Sequence, residues 1–285
     1  MDIPSKEDLV KNASNPKVLP FVAQKVLEKV NDENTTIGDM TDIIEKDQTI
    51  TASILRISNS AFYGLRAEVS SLRQAILVLG LNAIKDLVIT VSTKSQFKNF
   101  GITEKMLWDH AVGTGIAARL ISSDLDREVR DVSFLSGLMH DFGKVVMNNA
   151  NHEAYLEVMQ KTYNENMSAL EAEENIFGYN HTDVGSLVMS GWGFPPVYVE
   201  VLDKHHLKDC KLDEIKDKKI ARSIACINLA DNLCKALGIG YREPYTDIVL
   251  EELPAKIFLE ITDAKIEELK SSVTSSYEEE RAHFE

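Results

Sequence analysis

Cysteine is scarce in this chain of 285 residues: Cys210, Cys226 and Cys234 are the whole supply. An odd count with no Cys-x-x-Cys spacing gives no disulfide framework, and buried free thiols in a reducing cytoplasm are expected. Long apolar runs are missing too. Stretches such as Ala75 to Leu81 fall well short of the about 20 residues a membrane span needs, so no membrane partner is expected. Positive charge is in deficit, with 31 Lys and Arg against 45 Asp and Glu and a net charge of −14. Broad nucleic-acid binding, which needs clustered cations to neutralise phosphates, is therefore not expected. The local exception, Lys208 to Arg222, interleaves its lysines with Asp213, Glu214 and Asp217 and reads as a solvated mixed-charge segment. The first eight residues lack a basic region followed by an apolar one, so no signal peptide is expected and the location is read as cytoplasmic. Alternating runs of strand length are absent, as is an Asn-Gly hairpin signal.

What is present is helical periodicity. Val22, Val26, Leu27 and Val30 recur at helical spacing, as do Ile50, Ile54 and Ile57, then Leu72, Ile76 and Leu79, and then Ile84, Leu87, Val88 and Val91. Ser5 with Asp8, and Thr36 with Asp39, have the spacing of capping boxes. The fold class is all-α. A seam is expected near Lys98-Asn99-Phe100-Gly101, with Thr103 as a cap-like residue before the next helix. The chain accordingly divides into an N-terminal helical subdomain over 1–100, a helical core over 101–240 and a C-terminal extension over 241–285. The tail from Glu251 reads as one or two surface helices ending in a frayed acidic terminus.

Five of the seven histidines fall in four patches on apolar helical patterns: His110, His140, His181, and the pair His205-His206. Taken singly, His110 is a packed imidazole, His205-His206 a helix end facing water, and Asp231 a cap or ion-pair partner. Together with Asp141 they form a ligand set. Imidazole and carboxylate suit Fe, Mn or Zn, whereas Mg prefers carboxylate and water. Residues adjacent on a helix diverge by about 100°, but at a helix end His140 and Asp141 can face one cavity. His110 and Asp231 would complete one ion with that dyad, while His181, His205 and His206 would supply a second, bridged by Asp141. A divalent metal, Fe or Mn, as one or two ions, is the expected cofactor. Two ions about 3.5–4 Å apart can hold a bridging hydroxide and a phosphate oxygen. Asp141 and Lys144 are then the expected catalytic pair, with Lys144 neutralising charge on a phosphoryl group. His152 and His283 lack such surroundings and are expected to be exposed.

These residues resemble the HDOD domains, a signalling branch of the HD superfamily of metal-dependent phosphohydrolases. The likeness begins at Leu19-Pro20 and Asp47-Gln48-Thr49-Ile50-Thr51, and is most specific at Asn59-Ser60-Ala61-Phe62-Tyr63-Gly64. It continues through Val69 to Ile76 and Leu79-Gly80-Leu81. The run Gly137-Leu138-Met139-His140-Asp141-Phe142-Gly143-Lys144, then His181-Thr182-Asp183-Val184-Gly185 before Trp192, and His205-His206 complete it. The resemblance implies a multi-helix HD-like core with an N-terminal helical subdomain. It also implies a role in bacterial signal transduction as a regulatory or interaction module beside other signalling proteins. Many such domains have lost the ligands, whereas this chain keeps residues at the matching places. The alternative it implies is a phosphohydrolase acting on a nucleotide or cyclic dinucleotide through a dinuclear centre. The HD-GYP relatives hydrolyse cyclic di-GMP, but here His205-His206 is followed by Leu207-Lys208-Asp209-Cys210 with no Gly-Tyr-Pro. Asn59, Tyr63 and Arg73 are read as local capping and helix packing rather than as a contact surface.

Overall fold

Ser5 and Thr36 cap helices where the spacing predicts, and the second completes a reciprocal box. The Ser5 hydroxyl accepts the Asp8 amide at 3.1 Å, and Thr36 and Asp39 cap each other reciprocally. The computed structural model describes residues 3–284 apart from 16–18, 31, 33, 98–100, 166 and 209. Among the described residues there is no strand, and no helix is long and apolar enough to cross a membrane.

Helix α1 (Lys6–Ala13) is followed by α2 (Phe21–Val30), α3 (Ile37–Ile44), α4 (Gln48–Ser58), α5 (Leu72–Leu79) and α6 (Leu81–Lys94). Helices α2 to α6 pack together around Val26, Met40, Ile44, Ile54 and Ile84, all buried. The Asn59 side chain ties the loop after α4. Its amide donates to the carbonyls of Leu55 and Val69, both at 2.9 Å, and its oxygen accepts the Val69 amide at 2.7 Å. Tyr63 and Phe62 lie against the Arg119 guanidinium, at 4.9 and 3.9 Å from the ring centroids, while Arg73 is exposed.

The second part contains α7 (Ile102–Ser122), α8 (Arg127–Met139), α9 (Phe142–Ala150), α10 (His152–Asn164), α11 (Ala169–Phe177), α12 (His181–Gly191), α13 (Pro196–Lys204) and α14 (Lys218–Leu237). Helix α14 crosses both α7 and α8, α12 lies between α9 and α13, and α6 reaches α8. Buried Lys85 of α6 donates to the Tyr198 hydroxyl of α13 at 2.9 Å and pairs with Asp86 at 3.2 Å, joining the two parts through polar groups. Helices α7 and α8 approach with nothing between them: a Cβ on Gly137 would stand 2.6 Å from the Thr114 carbonyl oxygen and 2.9 Å from the Gly115 Cα. Only glycine permits that contact. Gly143 plays the same part between α9 and α12, where a Cβ would overlap the His181 carbonyl.

Four expectations are corrected, those for Thr103, the tail, His283 and Cys210. The seam at Lys98-Asn99-Phe100 lies outside the described residues, and Thr103 does not precede α7. Gly101 stands at its start, its amide held by the Glu104 carboxylate at 2.9 Å, and Thr103 is buried in the first turn. The tail, expected to fray, is helical and packed as far as Phe284. After α15 (Pro254–Phe258), helix α16 (Asp263–Phe284) docks on α7 through Ile266, Leu269, Val273, Tyr277 and Phe284. The Phe284 ring sits 5.9 Å from that of Phe62 and 6.0 Å from that of Phe134. His283, expected to be exposed, is half-buried beside it, whereas His152 is exposed. The thiols are free, with Cys226 and Cys234 buried and pushed up to about 12 by burial, but Cys210 is only half-buried.

Candidate metal centre

Six helices converge on one buried point. His110 comes from the middle of α7, His140 closes α8 and Asp141 opens α9, His181 begins α12, His205 and His206 follow α13, and Asp231 lies within α14. The break between α8 and α9 is what lets His140 and Asp141 point the same way, which a continuous helix would forbid. All seven expected ligands are brought together. Two groups have their donor atoms within 4.8 Å of one another: His110, His140 and Asp231, and Asp141, His181, His205 and His206.

Asp141 stands between the groups and shows one oxygen to each. Its Oδ2 lies 3.3 Å from His140 Nε2 and 3.7 Å from His110 Nε2. Its Oδ1 lies 3.2 Å from His181 Nε2 and 3.7 Å from His205 Nε2. Asp231 Oδ1 approaches His110 Nε2 at 3.1 Å, and His181 and His206 face each other through their Nε2 atoms at 3.0 Å.

The far sides of the rings decide the tautomers. Nδ1 of His110 meets the Ile239 carbonyl at 3.2 Å, that of His140 the Gly137 carbonyl at 2.7 Å, and that of His205 the Leu202 carbonyl at 2.9 Å. A carbonyl only accepts, so each Nδ1 carries a hydrogen and each Nε2 is the atom left to bind an ion once any proton on it is released. For His181 the acceptor is Glu173, whose Oε2 takes both the Nδ1 hydrogen at 2.6 Å and the His181 amide at 2.8 Å. A carboxylate behind a ligating histidine fixes the ring and raises its basicity. His140 Nε2, His205 Nε2 and Asp141 Oδ1 are buried without a hydrogen-bond partner. Leaving such an atom unsatisfied costs about 1–3 kcal/mol, so three together at one point fit a site that accepts a further group.

The electrostatics agree. Burial pushes the Asp141 carboxyl up, but His140 and then Lys144 outweigh it and hold the group well below the carboxylate range. Asp231 is likewise held low against burial, chiefly by Lys235. Burial drives His205 down to about 4 and His206 well below its ordinary range, keeping both imidazoles neutral. His140 goes the other way: burial lowers it, but Asp141 and Asp231 lift it to about 9. A proton and a metal ion are rivals for its Nε2. Nitrogen and carboxylate donors of this kind fit Fe, Mn or Zn.

Lys144, expected to face a phosphoryl group, is paired with Asp141 Oδ2 at 2.6 Å and also lines a cavity of about 310 Å³ that reaches His110, Asp141 and His206. Three contributors were not foreseen from the sequence. They are Glu173, Lys235 (2.7 Å from Asp231 Oδ2), and Tyr241, whose ring lies 4.9 Å from that of His110. Glu173 follows Ala172 on the face that also carries Phe177, and a lone acid on an apolar face was the available signal.

Comparison with known proteins now has a geometry to meet. The HDOD domain family matches residues 17–208. The chain belongs to the HDOD domain family. Among solved structures, this HDOD chain is similar to an HDOD domain protein of unknown function from Geobacter sulfurreducens. That likeness is 25% identical, with a TM-score of 0.75, and covers 93% of this chain and 91% of that one. A candidate metal-dependent phosphohydrolase from Shewanella amazonensis SB2B shares the fold at 20% identity and a TM-score of 0.64, with 98% of each chain covered. So does a candidate signal transduction protein from Marinobacter aquaeolei VT8, at 17% identity and a TM-score of 0.72, with 98% of this chain and 65% of that one covered. An uncharacterised protein of Treponema pallidum (strain Nichols) is 22% identical over 192 residues, 66% of this chain. This chain spans 37% of the length of that relative.

Proposed function

We propose that this HDOD protein is a signalling module that holds an HD-type centre of two divalent ions, Fe or Mn, and works beside other signalling proteins. The observation that carries the reading is Asp141, a buried carboxylate turning one oxygen to each of two histidine groups, with Oδ1 unpartnered. His110, His140 and Asp231 would hold one ion, and His181, His205 and His206 the other. The name of the Marinobacter neighbour supports the signalling role. Metal analysis of protein purified without a histidine tag tests the proposal. Ions are expected in the native chain and none in the paired variant His140→Ala with Asp141→Ala. Equal metal content in the two would overturn it.

A second reading, phosphoester hydrolysis, is favoured by the cavity that opens on both groups with Lys144 in its wall, and by the name of the Shewanella neighbour. Bound ions would supply a hydroxide at neutral pH and polarise the phosphoryl oxygens. The chain's own part is to fix seven donors, exclude bulk water by burial, and place the Lys144 ammonium 2.6 Å from Asp141 for charge neutralisation. Protein loaded with Mn or Fe, its metal content confirmed, should turn over nucleoside phosphates or cyclic dinucleotides. Absence of turnover across both classes would dismiss hydrolysis and leave the metal centre standing.

A further inference from the structure

We infer that the cavity beside the centre is a binding site for a single nucleoside monophosphate, its phosphate toward the ligands and its base between tyrosines. This rests on the metal reading above and goes beyond it in naming the ligand.

The cavity wall is made of two chemically distinct sets of side chains. One comprises His110, Asp141 and His206, with Lys144 and Lys235 alongside. Each of these lysines is tied to a carboxylate, Asp141 and Asp231 respectively, at 2.6 and 2.7 Å. Cations so anchored keep their ammonium groups beside the ligands in a chain whose overall charge of −14 would otherwise repel a phosphate. The other set is largely apolar and aromatic, with Thr162, Ser168, Asn232 and Asp247 as its polar members. Met159, Met167, Leu170 and Ile248 belong to it together with Tyr163 and Tyr245. The Arg242 guanidinium stands 4.9 Å from the Tyr163 ring centroid, and the rings of Tyr241 and Tyr245 meet edge to face at 5.2 Å.

Such a wall suits a flat heteroaromatic ring. Stacking on aromatic side chains contributes about 1–3 kcal/mol per base and tolerates any base. A sugar phosphate lacking a base would leave the tyrosine rings and thioethers of that wall without an aromatic partner. Size sets the number of units. Ligand pockets run from about 300 to 1,000 Å³, and about 310 Å³ lies at the lower limit. One base, ribose and phosphate is the load such a space takes, and the second half of a cyclic dinucleotide would be left outside. Gly240, Tyr241, Tyr245 and Ile248 lie beyond residue 208, where the family match ends.

Calorimetric titration of the full chain, tag-free and loaded with Mn, tests the inference, with metal content measured in each sample. The probes are GMP, AMP, ribose 5-phosphate, inorganic phosphate and cyclic di-GMP. Both nucleoside monophosphates are expected to bind at least tenfold more tightly than ribose 5-phosphate, a gap of about 1.4 kcal/mol. In Tyr245→Leu and, separately, Tyr163→Leu, that gap should shrink several-fold while metal content and ribose 5-phosphate affinity hold. Equal affinity for nucleotides and ribose 5-phosphate, tighter binding of cyclic di-GMP, or no binding by fully loaded protein would each overturn the inference and spare the metal centre. A chain that takes up no Mn sinks the centre itself, and the inference with it.

Discussion

Glu173→Gln separates charge from shape at the second histidine group. Two hydrogens, from His181 Nδ1 and the His181 amide, converge on Oε2 at 2.6 and 2.8 Å, and the Tyr155 hydroxyl reaches Oε1 at 3.3 Å. A glutamine can keep its oxygen for the two histidine hydrogens and turn its NH₂ to Tyr155, whose hydroxyl also accepts. The ring therefore stays in place with its tautomer, and only the negative charge behind it is lost. Removing such a partner weakens metal binding about 10–100-fold, or about 1.4–2.7 kcal/mol. Competition against a chromogenic chelator should show one class of ion weakened by that factor. The class held by His110, His140 and Asp231 should lose clearly less, since Glu173 touches none of the three and reaches them only through the shared Asp141. An unchanged affinity, or an equal loss from both classes, would refute the assignment of Glu173 to His181 alone.

Two other outcomes are expected. With ions removed by chelator, stability should peak near pH 6.5, the ordinary histidine value. Buried His205, at about 4, refuses a proton that the unfolded chain accepts, so stability falls as pH drops from about 6.5 to 4. His140, at about 9, keeps a proton that the unfolded chain releases, so its contribution is present below about 6.5 and lost as pH rises to 9. Urea midpoints that stay flat across this range would contradict both. Phe284→Ala should cost about 3 kcal/mol in the same melts, because the ring is buried against Phe62 and Phe134; a loss near zero would mean the terminus frays after all.

The all-helical architecture was legible because Val22, Val26, Ile50, Ile54 and their successors repeat at helical spacing. The centre was legible because rare residue types, histidine and aspartate, punctuated apolar patterns. Glu173 was not, since it stands in the run Glu171 to Glu174, where acids are commonly solvated; only its place on the apolar face sets it apart. The tail misled for the same reason. Glu278, Glu279 and Glu280 suggested a loose end, while Ile266, Leu269, Val273, Tyr277 and Phe284, spaced by three, four or seven residues, marked a docking stripe. Tyr241 and the lysine pairings depend on tertiary geometry, and no local pattern announces them.

The bare crossing of α7 and α8 has a consequence for ion choice. His110 and His140 ride on helices whose main chains touch at Thr114, Gly115 and Gly137, so no rotamer lies between them to flex. That half of the socket keeps one width, and an ion of the wrong radius cannot widen it by leaning on either helix. Adjustment must come from the opposite half, where His205 and His206 hang from the end of the nine-residue α13. Selectivity is thus divided between a stiff jaw and a yielding one.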